Sequence, residues 1–291
     1  MSAISVRDLR KSYGTYEALR GISFDIKEGE VFGLLGPNGA GKTTTIDILE
    51  GYRTRDGGDV DVLGFDPERA KSAFRERIGV VLQQSQLWPN LTVAETHRMF
   101  AGYYEHPRNV NEVISLVGLD EKRDARVKTL SGGQKRRLDL GVALVGDPDL
   151  VFLDEPTTGF DPAARRAAWD MIRSLRSLGK TILLTTHYLE EAERLASRIV
   201  VIDHGRIVRD GTLEEIRSAT GLAQIRLGAT SLGDVPGAER ISTEDGRTTI
   251  HTRDPGAVVR WLVHNDVPLD GLEVSDVSLD EALRALGEDA S

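Results

Sequence analysis

Residues 31–45, VFGLLGPNGAGKTTT, restrict the fold of this chain more than any other stretch. Val31 to Leu35 is an apolar run short enough for a buried strand. A glycine-rich turn follows, and Lys42-Thr43-Thr44-Thr45 opens a helix through Ile46, Ile48 and Leu49. This is G-x-x-x-x-G-K-[ST] in the strand–loop–helix setting that the pattern requires. Gly36, Gly39 and Gly41 let the backbone turn tightly enough for its N–H groups to converge on an anion. The positive end of the new helix points at the same place. With Pro37, Asn38, Ala40 and Thr44 they make a loop suited to a polyphosphate, Lys42 bridging the outer phosphates and the Thr43 hydroxyl holding Mg²⁺. The alternative, a glycine turn before an ordinary helix, does not account for four fixed positions with the right flanks.

The chain has 291 residues, enough for one large domain and a small one. Acidic residues outnumber basic ones, 46 to 37, so non-specific nucleic-acid binding is not expected. Cysteine is absent, which removes disulfides, a thiol nucleophile and Cys-based metal sites, and fits the cytosol. The N-terminus, MSAISVRDLRKSYG, lacks the apolar core of a signal peptide. No segment approaches the ~20 continuous apolar residues of a membrane helix. If the protein serves a membrane process, another chain supplies the membrane part.

Upstream of the loop, Ile22, Phe24 and Ile26 alternate with Ser23 and Asp25, as in a half-buried antiparallel sheet. Tyr13 lies in the polar turn KSYG, where an aromatic stacks on a nucleobase or simply packs. Downstream, a polar glycine-rich stretch leads to a short helix expected over 67–77. Ile78 to Leu82 then reads as a buried strand ending at Gln83 and Gln84. A glutamine there can aim an amide oxygen at a metal or water, though glutamines are common at strand ends.

Residues 88–128 change character. Thr92-Val-Ala-Glu95 is a capping box, opening a helix to about Tyr104. A second helix, 110–117, ends at Gly118. Leu130-Ser131-Gly132-Gly133-Gln134 then precedes an apolar helical stripe of Leu138, Val142 and Leu144. Its Ser-Gly-Gly turn sits at a helix N-terminus, a place for an anion or merely a cap. Lys135, Arg136 and Arg137 read as a solvated face.

Leu150 to Leu153 is an apolar strand running into Asp154-Glu155-Pro156. Acidic pairs after strands are often solvated turns, but in a chain with a phosphate loop Asp154 indicates the second Mg²⁺ position and Glu155 a general base for water. Asp161-Pro162 starts a helix, as N-cap and N1. Thr181 to Thr186 is another strand, closed by His187, on the ligand edge of an open α/β sheet or simply a hydrogen-bonded loop histidine. A further strand (198–203), a His204-Gly205 hairpin turn and a capping box at Thr212 follow. Beyond Thr220-Gly221 the texture shifts to strands at 223–227 and 248–252, a helix at 255–264, a strand near 272–277 and a final helix capped by Ser278. No catalytic grouping is visible there.

Taken together, GPNGAGKT (36–43), Gln83, LSGGQ (130–134), LVFLDEP (150–156), TGFD (158–161) and His187 resemble the ATP-binding subunits of ATP-binding cassette (ABC) transporters. The resemblance covers about residues 3–216, and LSGGQ is its most discriminating part. It implies a P-loop NTPase core of α/β class with an antiparallel β subdomain and a helical subdomain. The domains would then be 1–218, with the helical part at about 88–145, and an accessory α+β domain at 222–291.

Carried over position by position, the resemblance implies ATP with Mg²⁺. Tyr13 would stack on adenine, and Thr43, Gln83 and Asp154 would surround the metal. Glu155 would polarise water, and His187 would contact the γ-phosphate. Two chains would pair head to tail, with Ser131, Gly132, Gly133 and Gln134 of one capping the other's nucleotide and Asp161 contacting across the dimer. Phe160 departs from the leucine usual in TGFD. Looser matches around 136–162 and 186–208 resemble ATPases of the daunorubicin-resistance type. These imply an exporter, a separate permease engaged by the 88–128 insert and the Gln83 loop, and a place on the cytoplasmic face of the membrane. A cassette ATPase acting on a ribosome or assembly complex is the alternative. The single set of motifs and the negative charge argue against it.

Overall fold

The computed structural model describes residues 2–70, 72–81, 87–228, 232–244, 246–279 and 281–282. The chain divides into two compact units, Met1–Asp210 and Gly211–Ser291.

The first unit begins with a long hairpin, β1 (Ser2–Tyr13) and β2 (Tyr16–Lys27). Its alternating residues Ile22, Phe24 and Ile26 are buried, as the pattern requires. β3 (Val31–Leu35) feeds the loop and α1 (Lys42–Leu49). β4 (Gly57–Val62) returns to pair with β1, making an antiparallel sheet of order β2-β1-β4. The sequence did not suggest β4, because glycine and aspartate mask the alternation of Val60 and Val62. α2 covers Ser72–Arg77, shorter than expected. Asp66 accepts a bond from the Glu68 backbone N–H, a local turn that competes with helix start. β5 (Ile78–Val81) follows. Gln83 lies outside the described residues.

The helical part holds α3 (Val93–Ala101), α4 (Val110–Leu116) and the start of α5 (Gly132–Leu144). Thr92 and Glu95 form the capping box reciprocally. The chain then alternates β6 (Leu150–Asp154), α6 (Pro162–Ser177), β7 (Thr181–Thr186), α7 (Leu189–Leu195), β8 (Arg198–Asp203) and β9 (Arg206–Thr212). His204 and Gly205, at φ 44° and 74°, make the tight turn between β8 and β9.

The main sheet has order β5-β6-β7-β3-β8-β9. β5, β6, β7, β3 and β8 run parallel. Both faces are covered, which explains why these strands are apolar throughout rather than alternating. Phe32, Phe152 and Leu183 face the antiparallel sheet and α1. Val31, Val151 and Ile182 face α5 and the Trp169, Ile172 and Leu175 stripe of α6. Register fixes the functional edge. Leu35 pairs with Thr186, and Asp154 with Thr185, so the phosphate loop, Asp154-Glu155 and His187 all leave the sheet at one level.

In the second unit α8 (Leu213–Ser218) precedes β10 (Ala223–Gly228), β11 (Ala238–Glu244), β12 (Arg247–Thr252), α9 (Pro255–His264) and β13 (Glu273–Asp276). The antiparallel sheet has order β11-β12-β10-β13. Ile225, Leu227 and Ile250 pack with Val258 and Leu262 of α9. β11 was not expected. It is an edge strand of mostly polar residues, AERISTE, without a hydrophobic period. The Ser278 cap is made: Glu281 N–H donates to Ser278 Oγ.

Candidate nucleotide site

The loop after β3 turns through Gly36 at φ 153° and Gly41 at φ 112°. A Cβ on Gly36 would stand 2.1 Å from the Ile202 carbonyl oxygen, and one on Gly41 2.8 Å from that of Ala18. Neither position accepts a side chain, so both glycines are required by this fold before any ligand is considered. Lys42, only 6% exposed, donates from Nζ to the carbonyls of Gly36 (2.7 Å) and Pro37 (3.1 Å). Burial lowers its pKa, while the charges of Glu155 and Asp154 oppose that shift. The ammonium therefore sits folded over its own loop, facing two carboxylates, and can exchange carbonyls for phosphate oxygens.

A cleft of about 190 Å³ runs beside it, lined by Tyr13, Tyr16, Asn38, Gly39, Gly41, Lys42, Thr43, Thr44 and Glu155. Tyr13 is the last residue of β1 rather than part of the turn. Its ring lies 5.3 Å from the Arg53 guanidinium and 5.9 Å from the Lys11 ammonium. Tyr16, which the sequence gave no reason to single out, donates its hydroxyl to the Gly39 carbonyl at 2.9 Å.

Asp154 ends β6, where Oδ1 accepts a bond from the Thr185 hydroxyl. Glu155 has φ 45°, a left-handed conformation that costs a non-glycine residue about 1–2 kcal/mol. Its N–H is held by the Thr185 carbonyl (3.2 Å) and hydroxyl (3.1 Å). Oε2 accepts from the Thr158 hydroxyl at 3.1 Å, and Oε1 lies 3.1 Å from Nδ1 of His187. Glu155 and His187 are thus in direct contact.

Ser131 is the N-cap of α5. Its Oγ accepts from the Gln134 N–H (3.3 Å), and Gln134 Oε1 from the Ser131 N–H (2.9 Å). This is an S-x-x-Q capping box. Ser131, Gly133 and Gln134 line a depression of about 230 Å³ with Phe160 and Met171. That depression and the phosphate cleft share no lining residue. A Cβ on Gly132 would meet nothing within 4 Å among the described residues, whose packing therefore does not demand glycine there. Asp161 caps α6, with Oδ1 accepting from Ala163 (2.9 Å) and Ala164 (2.8 Å).

Arg136 corrects the expected solvated face. It is half-buried and donates to the carbonyls of Asp154 and Pro156, both at 3.2 Å. Arg137 donates to the Gly118 carbonyl. A basic run after a helix start looks solvated in sequence, but α5 lies against the end of β6, and burial there lowers the Arg136 pKa.

Fold and site together define an ATP-binding cassette. The family model described as ABC transporter matches residues 19–158. The daunorubicin/doxorubicin resistance ATP-binding protein DrrA of Streptomyces peucetius is 40% identical over 296 residues, covering 98% of this chain and 89% of the relative. Nod factor export ATP-binding protein I of Ralstonia nicotianae is 41% identical over 270 residues, covering 89% and 84%. Among solved structures, cbiO1 from Clostridium perfringens, part of the ABC transporter complex cbiONQ, superposes with a TM-score of 0.69 at 28% identity. It covers 75% of this chain and 91% of that one. The ADP conformation of the ABC transporter cassette MJ1267 gives 0.66 at 25% identity, covering 74% and 92%. The chain belongs to the ATP-binding subunits of ABC transporters, and its reaction is the ATP hydrolysis of that family. Among the described residues no helix is long and apolar enough to cross a membrane.

Proposed function

We propose that two copies of this chain close on ATP and drive a separate export permease from the cytoplasmic face of the membrane. The observation that carries the dimer is the separation of the two half-sites. Lys42, Thr43 and Glu155 line one cleft, while Ser131 and Gly133 line another with no residue in common. A second chain can supply the missing half, and the open space at Gly132 leaves room for its nucleotide. The ligand then binds the closed pair better than the open one, and loss of the γ-phosphate contact releases it.

The loop N–H groups and Lys42 hold the phosphates, and Tyr13 takes the base. Thr43 and Asp154 are hard oxygen donors, the kind Mg²⁺ accepts beside phosphate oxygens and water; Gln83 is the third candidate. Bound there, the ion would offset charge on the outer phosphates. Glu155 accepts the proton of the attacking water. His187, bonded through Nδ1 to the Glu155 carboxylate, leaves Nε2 free to face the γ-phosphate.

Export follows the relatives, which are named for daunorubicin/doxorubicin resistance and Nod factor export. For the permease contact we favour the helical part. Trp88 (52% exposed), Phe100 and Tyr103 (72% exposed) make a run of aromatic contacts at 6.2 and 6.1 Å. Exposed aromatics in a cluster mark an interaction surface. The second unit is taken as accessory to the cassette.

Glu155→Gln tests the core of the proposal. The variant should bind ATP, cease turnover and elute as a dimer with ATP in size-exclusion chromatography. A variant that stays monomeric and hydrolyses normally would overturn the assignment.

A further inference from the structure

Glu191, in the first turn of α7, has no part in the scheme above, yet it is fully buried. A buried carboxyl is costly unless its oxygens are bonded. Oε1 accepts from the Thr157 hydroxyl at 2.8 Å and from the Trp169 indole N–H at 3.2 Å. Oε2 is buried with no close hydrogen-bond partner among the described residues, and the Thr186 side chain also acts on the carboxyl. Burial pushes the carboxyl above the ordinary carboxylate range.

What Glu191 grips explains it. Thr157, also fully buried, stands two residues after Glu155. Trp169 belongs to α6, the helix that Asp161 caps. One carboxyl therefore ties both Thr157, inside the 155–161 segment, and Trp169 of the helix after that segment to the helix that follows His187. A second row of contacts runs beside it. The Arg165 guanidinium lies 4.7 Å from the Tyr188 ring, and that ring lies 4.1 Å from the His187 ring. His187 in turn bonds Glu155. The second row reaches the His187–Glu155 pair directly, and the first reaches Glu155 through the backbone from Thr157.

We propose that Glu191 is a positioning residue for hydrolysis, holding Thr157 so that the left-handed turn at Glu155 presents its carboxylate to water. The proposal rests on Glu155 acting on that water. A strained backbone persists only where its surroundings over-determine it. The Thr185 bonds fix the N-terminal side of Glu155, and the Thr157–Glu191 bond fixes the C-terminal side. Neither Glu191 nor Thr157 lines the nucleotide cleft, so ATP affinity is insulated from the bond while the rate is not.

The test is steady-state turnover and Mg-ATP binding of the full chain carrying Glu191→Ala, Glu191→Gln or Thr157→Val. Turnover should fall about tenfold or more in Glu191→Ala and Thr157→Val, since small displacements of a reacting group are costly. ATP affinity should stay within about twofold. Glu191→Gln should recover most of the rate, because the amide oxygen accepts the same two bonds. The double variant Glu191→Ala/Thr157→Val should be no slower than either single one. If Glu191→Ala does not fold, Thr157→Val, which keeps its volume, carries the test. A normal rate in Thr157→Val, a Gln variant as slow as Ala, or equal losses in affinity and rate would overturn the proposal. Glu155→Gln in the same assay separates the two levels. If it still turns over, the assignment of Glu155 fails; if it is dead while Thr157→Val is normal, only the positioning role fails.

Discussion

Nδ1 of His187 lies 3.1 Å from Oε1 of Glu155, across the ends of the adjacent parallel strands β6 and β7. An ionised carboxylate only accepts, so Nδ1 carries the proton of this bond and Nε2 is the nitrogen turned outward. In the proposed scheme His187 would have two duties: orienting Glu155 and meeting the phosphate. His187→Ala should lower turnover at least tenfold while leaving ATP binding within a few-fold. Asn in its place should recover part of the rate, because an amide can donate to Oε1. Single-turnover hydrolysis beside equilibrium binding checks this. A large loss of affinity with unchanged rate would contradict it.

The two half-sites make a prediction about mixtures. Ser131→Arg removes an N-cap worth about 1 kcal/mol and fills the surface beside Gly133 with a long cation. It should abolish turnover but leave ATP binding by the single chain intact. Glu155→Gln should also be inactive alone. In a mixed dimer, however, the Ser131→Arg chain keeps its own Glu155 and meets an unaltered Ser131 from its partner. Mixing the two dead variants should therefore restore activity, up to about one working site per mixed dimer. No recovery on mixing would mean that Ser131 serves its own chain's nucleotide.

The elements with strong local grammar were legible in the sequence. β7, β8 and α9 fall where the apolar runs and caps put them, and the glycine loop sits on a buried strand as required. What failed was whatever depends on a neighbour far along the chain. Arg136 looks solvated in KRR until α5 is laid against β6. Glu191, in LEEAERL, reads as one more surface acid on an amphipathic helix. Only the packing of α6 and α7 encloses it with Thr157 and Trp169. β11 was missed because an edge strand half open to water need carry no apolar period. Tyr16 carries no local signal, because a hairpin residue reaches the loop only through folding.

Tyr13 offers a separable contribution to binding. Its ring lines the cleft and is backed by Arg53, which Asp47 holds at 2.8 Å. Stacking of a base on an aromatic ring is worth about 1–3 kcal/mol by alanine substitution. Tyr13→Ala should weaken ATP binding by roughly one order of magnitude, with little change in turnover at saturation. Tyr13→Trp should restore it. Titration of a fluorescent ATP analogue against the full chain gives the affinity. Unchanged binding in Tyr13→Ala would place the base elsewhere.

Glu50 turns burial into a pH dependence. It is the C-cap of α1, only 7% exposed, and burial together with the nearby charges of Asp47 and Asp154 raises its pKa to about 8. The negative end of α1 also disfavours a carboxylate there. In the unfolded chain it titrates near the ordinary 4.5. Between those values the folded protein holds a proton that the unfolded chain has lost, so stability falls as pH rises through that window. Below 4.5 both states are protonated and the contribution is complete; above about 8 it is gone. Glu50→Gln removes the titration. The variant should match the wild type near pH 4.5 and exceed it increasingly toward pH 8–9, by as much as ~5 kcal/mol at the upper limit. Denaturant unfolding of both proteins at pH 5 and pH 9 measures the difference. A gap that stays constant across that range, or one that closes as pH rises, would show that Glu50 is charged in the folded chain.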